Sequence, residues 1–234
     1  MTTCYVARPG TVGYAEAYGL QKRLAARVAG GGLPGALLLL EHPHVFTLGR
    51  RGKMDDILSP PERLLELGVT VHQTDRGGEV TYHGPGQLVG YPIVDVRACG
   101  GPVAFVRGIQ EALIATLADF GIAGESTDRP TGVWVGDAKI AAIGLHVSRG
   151  VSTHGFALNV APDLSFFSHI VPCGLPDSPV TSMEREAGIT DAQRVAESVE
   201  RHLGRVFGWD MELAALSLLA GEPAPRPAFP ARTR

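Results

Sequence analysis

The sequence predicts an α/β (α+β) fold, with a mixed, largely antiparallel sheet flanked by helices. Three observations predict it. Candidate strands cluster in mid-chain with few crossover helices between them, which disfavours a doubly wound parallel sheet. Two segments, 101–121 and 191–208, carry amphipathic helical patterns. The chain of 234 residues, 44% hydrophobic and 19% charged, is long and apolar enough to bury one substantial core. We expect one domain over 1–220 and a flexible tail over 221–234.

The first helix is expected within TVGYAEAYGLQKRLAARVAGGG (11–32). Tyr14, Ala17, Leu20 or Gln21, Leu24 and Val28 approximate helical spacing, and glycines end it. GALLLLEH (35–42) is short, continuous and apolar, which marks a buried strand. VTVHQT (69–74) and QLVGYPIVDV (87–96) read as further strands. In 101–121 Pro102 suits a first helical turn, Val106, Ile109, Leu113, Leu117 and Phe120 form an apolar stripe, and Gly121 suits the stop. GVWVGDAKIAAIGLHV (132–147) reads as a hairpin turning at Gly136–Asp137, with GFALNV (155–160) its neighbour. LSFFSHI (164–170) reads as a short helix. The tail GEPAPRPAFPARTR is proline-rich and has no apolar period.

Composition excludes several function classes. A net charge of −3 and a pI of about 6.2 give no global basic field for nucleic acid. No apolar run approaches the ~18 residues of a membrane span, and the N-terminus has no apolar signal core. Cys4, Cys99 and Cys173 are odd in number and share no close spacing. This supports neither a disulfide framework nor a zinc knuckle, and suits free thiols in a reducing cytoplasm. His42 and His44 flank Pro43, but without matched cysteines or carboxylates they are a weak metal signal. We therefore expect no metal.

Two stretches stand out chemically. DRGGEVTYHGPGQLVGYP (75–92) sets five glycines around Arg76, Thr81, Tyr82, His83 and Gln87. Such glycines permit positive φ and close backbone approach to a ligand, although a tight turn between strands needs the same composition. No Gly-Lys-Ser/Thr follows and no helix obviously opens, so neither nucleotide fingerprint applies. IVPCGLPDSPVTS (170–182) places Cys173 between Pro172 and Gly174, with Pro176 and Pro179 close behind. A free cysteine is ordinarily a small buried hydrophobe. Buried cysteines usually sit on periodic strands or helices, which this segment does not continue well. A stiff loop also suits a nucleophile held at one angle, and both readings stand.

A nucleophilic thiol needs a partner, because its free pKa of about 8.5 leaves little thiolate near neutrality. The lysines are Lys22, Lys53 and Lys139. Lys139 opens the apolar strand KIAAIGLHV, where an amine is partly desolvated beside a thiolate or reaches out to solvent. His83 and His154 are other candidate partners, and Asn159 would complete a Cys-His-Asn set. Cys4 and Cys99, with His72, His146, His169 and His202, receive the ordinary structural reading.

Together these segments resemble the lipoyl(octanoyl) transferase family. RGGEVTYHGPGQLVGY carries the family's Arg-Gly-Gly, Thr, His and Gly-Gln positions. KIAAIG at 139–144, HGFALN at 154–159 and PCG at 172–174 follow in order. The resemblance spans roughly 36–185. It implies a fold like the catalytic domain of biotin and lipoate protein ligases, and transfer of an octanoyl group from acyl carrier protein to a lysine of lipoyl domains. Those domains belong to the E2 subunits of 2-oxoacid dehydrogenases and to the H protein of glycine cleavage. The resemblance makes Cys173 the nucleophile and Lys139 the acid/base residue. It lines the acyl site with Arg76, Gly77, Gly78, Glu79, Val80, Thr81, Tyr82 and His83, facing Ala142, Ile143, Gly144, Gly155, Phe156 and Ala157. No cofactor, nucleic acid or membrane is implied, and we expect a cytoplasmic monomer. Arg50, Arg51, Lys53 and Arg149 are candidates for steering acidic partners.

Three competing readings stay open. An ATP-dependent lipoate or biotin ligase would use free acid and need no cysteine. A non-catalytic acyl-carrier or lipoyl-domain binding protein would bind without turnover. A cysteine protease or amidase would need a histidine base and tolerate loss of Lys139.

Overall fold

The computed structural model describes residues 2–127, 129–171 and 179–221. Cys173, and the tail beyond residue 221, therefore lie outside the described residues. Ten strands and six α-helices follow in chain order: β1 Thr2–Thr11, α1 Tyr14–Ala29, β2 Gly35–Glu41, β3 Val45–Leu48, α2 Pro61–Glu66, β4 Thr70–Gln73, β5 Val80–His83, β6 Gln87–Val94, α3 Pro102–Asp119, β7 Gly132–Val135, β8 Ala138–Ser148, β9 Val151–Asn159, α4 Met183–Ala187, α5 Ala192–Phe207, β10 Trp209–Leu213 and α6 Leu216–Ala220. LSFFSH, expected as a short helix, forms a 3-10 helix over Leu164–His169.

The larger sheet runs β10-β1-β2-β6-β9-β8-β7. Only β10-β1 and β1-β2 pair parallel; the other neighbours are antiparallel. This is the mixed, largely antiparallel sheet expected, flanked by helices. A second sheet, β4-β3-β5, was not foreseen.

Strand β2 shows why the apolar run is continuous. Leu37 and Leu39 pack with Phe105, Ile109 and Leu113 of α3 and with Val199 and Leu203 of α5. Ala36, Leu38 and Leu40 pack on the other face with Leu20 and Leu24 of α1. A strand covered on both sides has no polar face to alternate with. A third cluster joins Phe46, Leu48, Val80 and Tyr82 of the small sheet to Phe166 and Ile170.

The α3 stripe follows the expected one at Ile109, Leu113 and Leu117, and differs at its start, where Phe105 takes the place of Val106. Phe105, Ile109, Ala112, Leu113, Thr116 and Leu117 face the core, whereas Val106 turns to a cleft at the helix's N-terminal half. Both residues lie within the broad arc a core-facing helix presents, and the larger aromatic takes the interior. Asp191 caps α5 by accepting from Arg194 N, and Gly208 ends it at φ 66°. No helix among the described residues is long and apolar enough to cross a membrane.

Candidate active site

A cleft of about 1090 Å³ lies between the glycine-rich turn leading into β5 and the strands β8 and β9. Its walls follow from side-chain size. The β8–β9 register sets Ala142 opposite Ala157 and Gly144 opposite Gly155. Period-two alternation places these four small residues on one face, and the cleft opens over them. The turn docks onto β8 through Gly77 N–H, which donates to Leu145 O at 2.9 Å. A Cβ at Gly144 would sit 3.0 Å from Gly77 O, so this close approach requires glycine there.

Arg76 braces the turn from within. Its guanidinium donates to Thr47 Oγ1 at 3.1 Å, to Gly77 O at 3.0 Å and to Glu79 O at 2.9 Å. A buried cation is tolerable when its donors are satisfied this way. Arg76, Gly77, Gly78, Glu79, Val80, Thr81 and His83 all line the cleft, as do Ala142, Ile143, Gly144, Gly155, Phe156 and Ala157. Tyr82 does not. It points to the opposite side of β5, fully buried, stacking on Phe166 with ring centroids 5.0 Å apart. On β5 the alternation of side chains turns Tyr82 to the face away from Thr81 and His83.

Lys139 also lines the cleft and is only 7% exposed. Its Nζ lies 4.9 Å from the Trp134 ring centroid, a cation–π distance. Gly132 makes room for its stem: a Cβ there would stand 3.3 Å from Lys139 Cε. The backbone of Lys139 holds the segment following residues 172–178. Lys139 N–H donates to Pro179 O at 2.8 Å, and Thr181 N–H donates to Lys139 O at 3.0 Å. Upstream, Val171 N–H donates to Asp56 O at 2.8 Å. Both flanks of the cysteine segment are thus anchored by main-chain bonds.

Histidines crowd the inner end. His83 is buried and hydrogen-bonded to Gln87 through Nδ1 at 2.7 Å. Burial, reinforced by His42, pushes its pKa well below the ordinary value despite that bond. Burial likewise pushes His42 down to about 4. His42 bridges Val12 O and the Tyr91 hydroxyl at 2.6 and 2.7 Å. His154 carries φ 58° on β9, a region few non-glycine residues adopt. Its main-chain N–H donates to Gln21 Oε1, and its Nε2 lies 2.7 Å from Asp75 Oδ1. Burial lowers the His154 pKa even so. Burial opposes the Asp75 charge, but hydrogen bonds from His154 and Tyr18 hold that carboxyl below its usual value. The buried histidines are thus held uncharged, and a pocket with apolar walls and a few oriented polar groups is what an acyl chain with one reacting carbonyl requires.

Several lining residues were not singled out from the sequence. Tyr14 reads there only as part of α1's apolar stripe, yet it lines the cleft and its buried hydroxyl meets no hydrogen-bond partner among the described residues. Arg107, Gln110 and Arg129 also line it, and no local pattern marks them, whereas Tyr91, which lines it too, closes the glycine-rich motif. Among the described residues no three His, Cys, Asp or Glu side chains gather as a metal site. Cys4 is buried, with its thiol pushed up to about 12 by burial; Cys99 is half-buried, at about 11 for the same reason.

Known proteins match this architecture closely. The family model described as "Lipoyl protein ligase A/B catalytic domain" matches residues 13–204. An octanoyltransferase of Solibacter usitatus is 49% identical, over 94% of this chain and 100% of its own length. An octanoyltransferase of Chloroflexus aurantiacus is 47% identical, over 93% of this chain and 100% of its own. Among solved structures, a bipartite lipoate protein ligase from Thermoplasma acidophilum superposes with a TM-score of 0.71 at 15% identity, covering 94% of this chain and 91% of that one. That likeness concerns the fold. The chain belongs to the lipoyl protein ligase A/B catalytic domain family and, within it, stands with the octanoyltransferases.

Proposed function

We propose that this protein transfers an octanoyl group from an acyl carrier protein to a lysine of a lipoyl domain, through a thioester on Cys173. The observation that carries the reading is the placement of Lys139. It is a buried lysine lining the cleft that opens over Ala142, Gly144, Gly155 and Ala157, and its own backbone binds Pro179 and Thr181, just downstream of the cysteine segment. Cys173 is two positions after the anchored Val171 and six before Pro179 in the sequence.

In the first step the Cys173 thiolate attacks the carrier thioester carbonyl. A new C–S bond forms, the old one breaks, and the pantetheine sulfur leaves as a thiol, taking up the proton that Cys173 gave to Lys139 on becoming a thiolate. The lipoyl-domain amine then attacks the acyl-cysteine. A C–N bond forms, the C–S bond breaks, and the amine's proton passes to Lys139. A thioester becomes an amide, which is downhill, so no nucleotide is consumed. Burying an eight-carbon chain at roughly 0.8 kcal/mol per CH₂ supplies several kcal/mol before ordering costs. E2 lipoyl domains and the glycine-cleavage H protein are the acceptors on this reading.

Purified protein, octanoyl carrier protein and an apo lipoyl domain should give an octanoylated domain, read by its mass increase, without ATP. Product formed only from free octanoate plus ATP would establish a ligase instead. Binding without any product would establish a non-catalytic partner.

A further inference from the structure

A chain of buried amides runs from the cysteine segment's return to His83, and its direction can be deduced. Thr181 O is a carbonyl and only accepts, so the Asn159 atom 2.9 Å away is the donating Nδ2. That leaves Asn159 Oδ1 as an acceptor, 2.9 Å from Gln87 Nε2. Gln87 must then present Oε1 to His83, 2.7 Å from Nδ1. An amide oxygen accepts only, so His83 carries its proton on Nδ1. Its Nε2 makes no hydrogen bond among the described residues, and the ring lines the cleft. The same Thr181 whose carbonyl starts the chain gives its N–H to Lys139 O. The relay and the candidate acid/base lysine are therefore tied to one residue.

We infer that Gln87 and Asn159 are positioning residues that lock His83 in the Nδ1–H tautomer, so that its Nε2 accepts a hydrogen bond from the acceptor lysine's attacking amine. This rests on the proposed aminolysis of an acyl-enzyme. It assigns His83 to the second step only: the amine's N–H points at Nε2, its lone pair is left for the carbonyl, and the proton still leaves to Lys139. His42, Tyr14, Arg76 and His154 face the His83 ring. The cationic Arg76 and the burial both oppose imidazolium, which keeps Nε2 an acceptor.

The test has two arms on the full-length protein. In the wild type, ¹⁵N–¹H multiple-bond correlations of labelled histidine at pH 7 should show His83 protonated on Nδ1 and bare on Nε2. A proton on Nε2, or a mixture of tautomers, overturns the inference. In the second arm, octanoyl-enzyme is formed first and mixed with lipoyl domain in a single turnover. Gln87→Glu cannot donate to Asn159 and favours the imidazolium. It should acylate within about threefold of wild type, yet transfer about a hundredfold more slowly at pH 7. Its transfer rate should recover as pH rises and His83 loses the second proton, a shift that a merely structural role would not produce. Normal transfer by Gln87→Glu, or equal loss in both steps without a pH shift, overturns the relay. Failure of the wild type to acylate at all would instead refute the proposed function.

Discussion

At Lys139 the chain sets an amine side chain where little water reaches, and the neighbouring residues leave room for it. Gly132 is the clearest case. A methyl there would meet Ala141 O and stand 3.3 Å from Lys139 Cε. Displacing a reacting group by about 1 Å can cost on the order of a hundredfold. Gly132→Ala should therefore lower kcat/KM for octanoyl transfer by about ten- to a hundredfold with little change in substrate binding. A KM effect alone would show that the amine's position does not matter. Lys139→Ala should abolish transfer while leaving the circular dichroism spectrum intact; near-normal turnover would remove Lys139 from the mechanism. Tyr82 carries a different lesson. It sits inside the motif yet packs on Phe166 in the third core cluster, so Tyr82→Phe should chiefly remove its hydrogen bond with His44 and spare the chemistry.

At the scale of elements, two contacts hold the frame of the cleft. Strands β6 and β9 approach so closely that a Cβ at Gly155 would collide with Gly90 O and Pro92. Gly155→Ala should cost about 1–3 kcal/mol of stability by overpacking, read as a lower urea midpoint. An unchanged midpoint would mean the strands can separate freely. Helices α3 and α5 are clamped by Asp119, which accepts from Ser198 Oγ, His202 Nε2 and Arg201 at 2.5, 2.8 and 2.6 Å. Ser198 first, then His202 and Arg201, hold its pKa at about 2 against an ordinary 3.8. A depressed carboxylate stabilises the fold above its ordinary value, and that contribution fades as pH falls from 3.8 through about 2. Asp119→Asn should flatten the pH dependence of stability across that window, measured by urea unfolding; parallel curves for the two proteins would refute the clamp.

The same scale explains what was legible. The helices α1, α3 and α5 and the strands β2, β6, β8 and β9 announce themselves because each buries a periodic or continuous apolar set. Strand β1 does not: its residues Thr2, Arg8 and Pro9 dilute the pattern, and its order comes from parallel pairing with β10, distant in sequence. Of the small sheet, β4 was readable in VTVHQT, but β3 and β5 escaped because they are four residues each, too short for a period to emerge. One of them hides inside the glycine-rich motif.

For the whole molecule, the second sheet is what makes a site. Its glycine-rich turn closes over β8 and β9, and the cleft forms between two layers that are remote in sequence. The motif residues that line it were readable as a resemblance. Tyr14, Arg107 and Gln110 were not, because the cleft is a property of packing between α1, α3 and the sheets, and no local spacing records it. The hydrogen-bond relay through Gln87 and Asn159 was equally hidden. Gln87 and Asn159 stood out singly in the sequence, but no spacing links them, and only the fold brings them within 2.9 Å of their partners.

The proposed chemistry turns on a covalent acyl-enzyme, and intact-mass spectrometry after incubation with octanoyl carrier protein tests that most directly. The wild type should gain one octanoyl group that a lipoyl domain then removes, and Cys173→Ser should gain no transferable group and lose turnover. Octanoyl transfer by Cys173→Ser at a rate near that of the wild type would contradict the central claim.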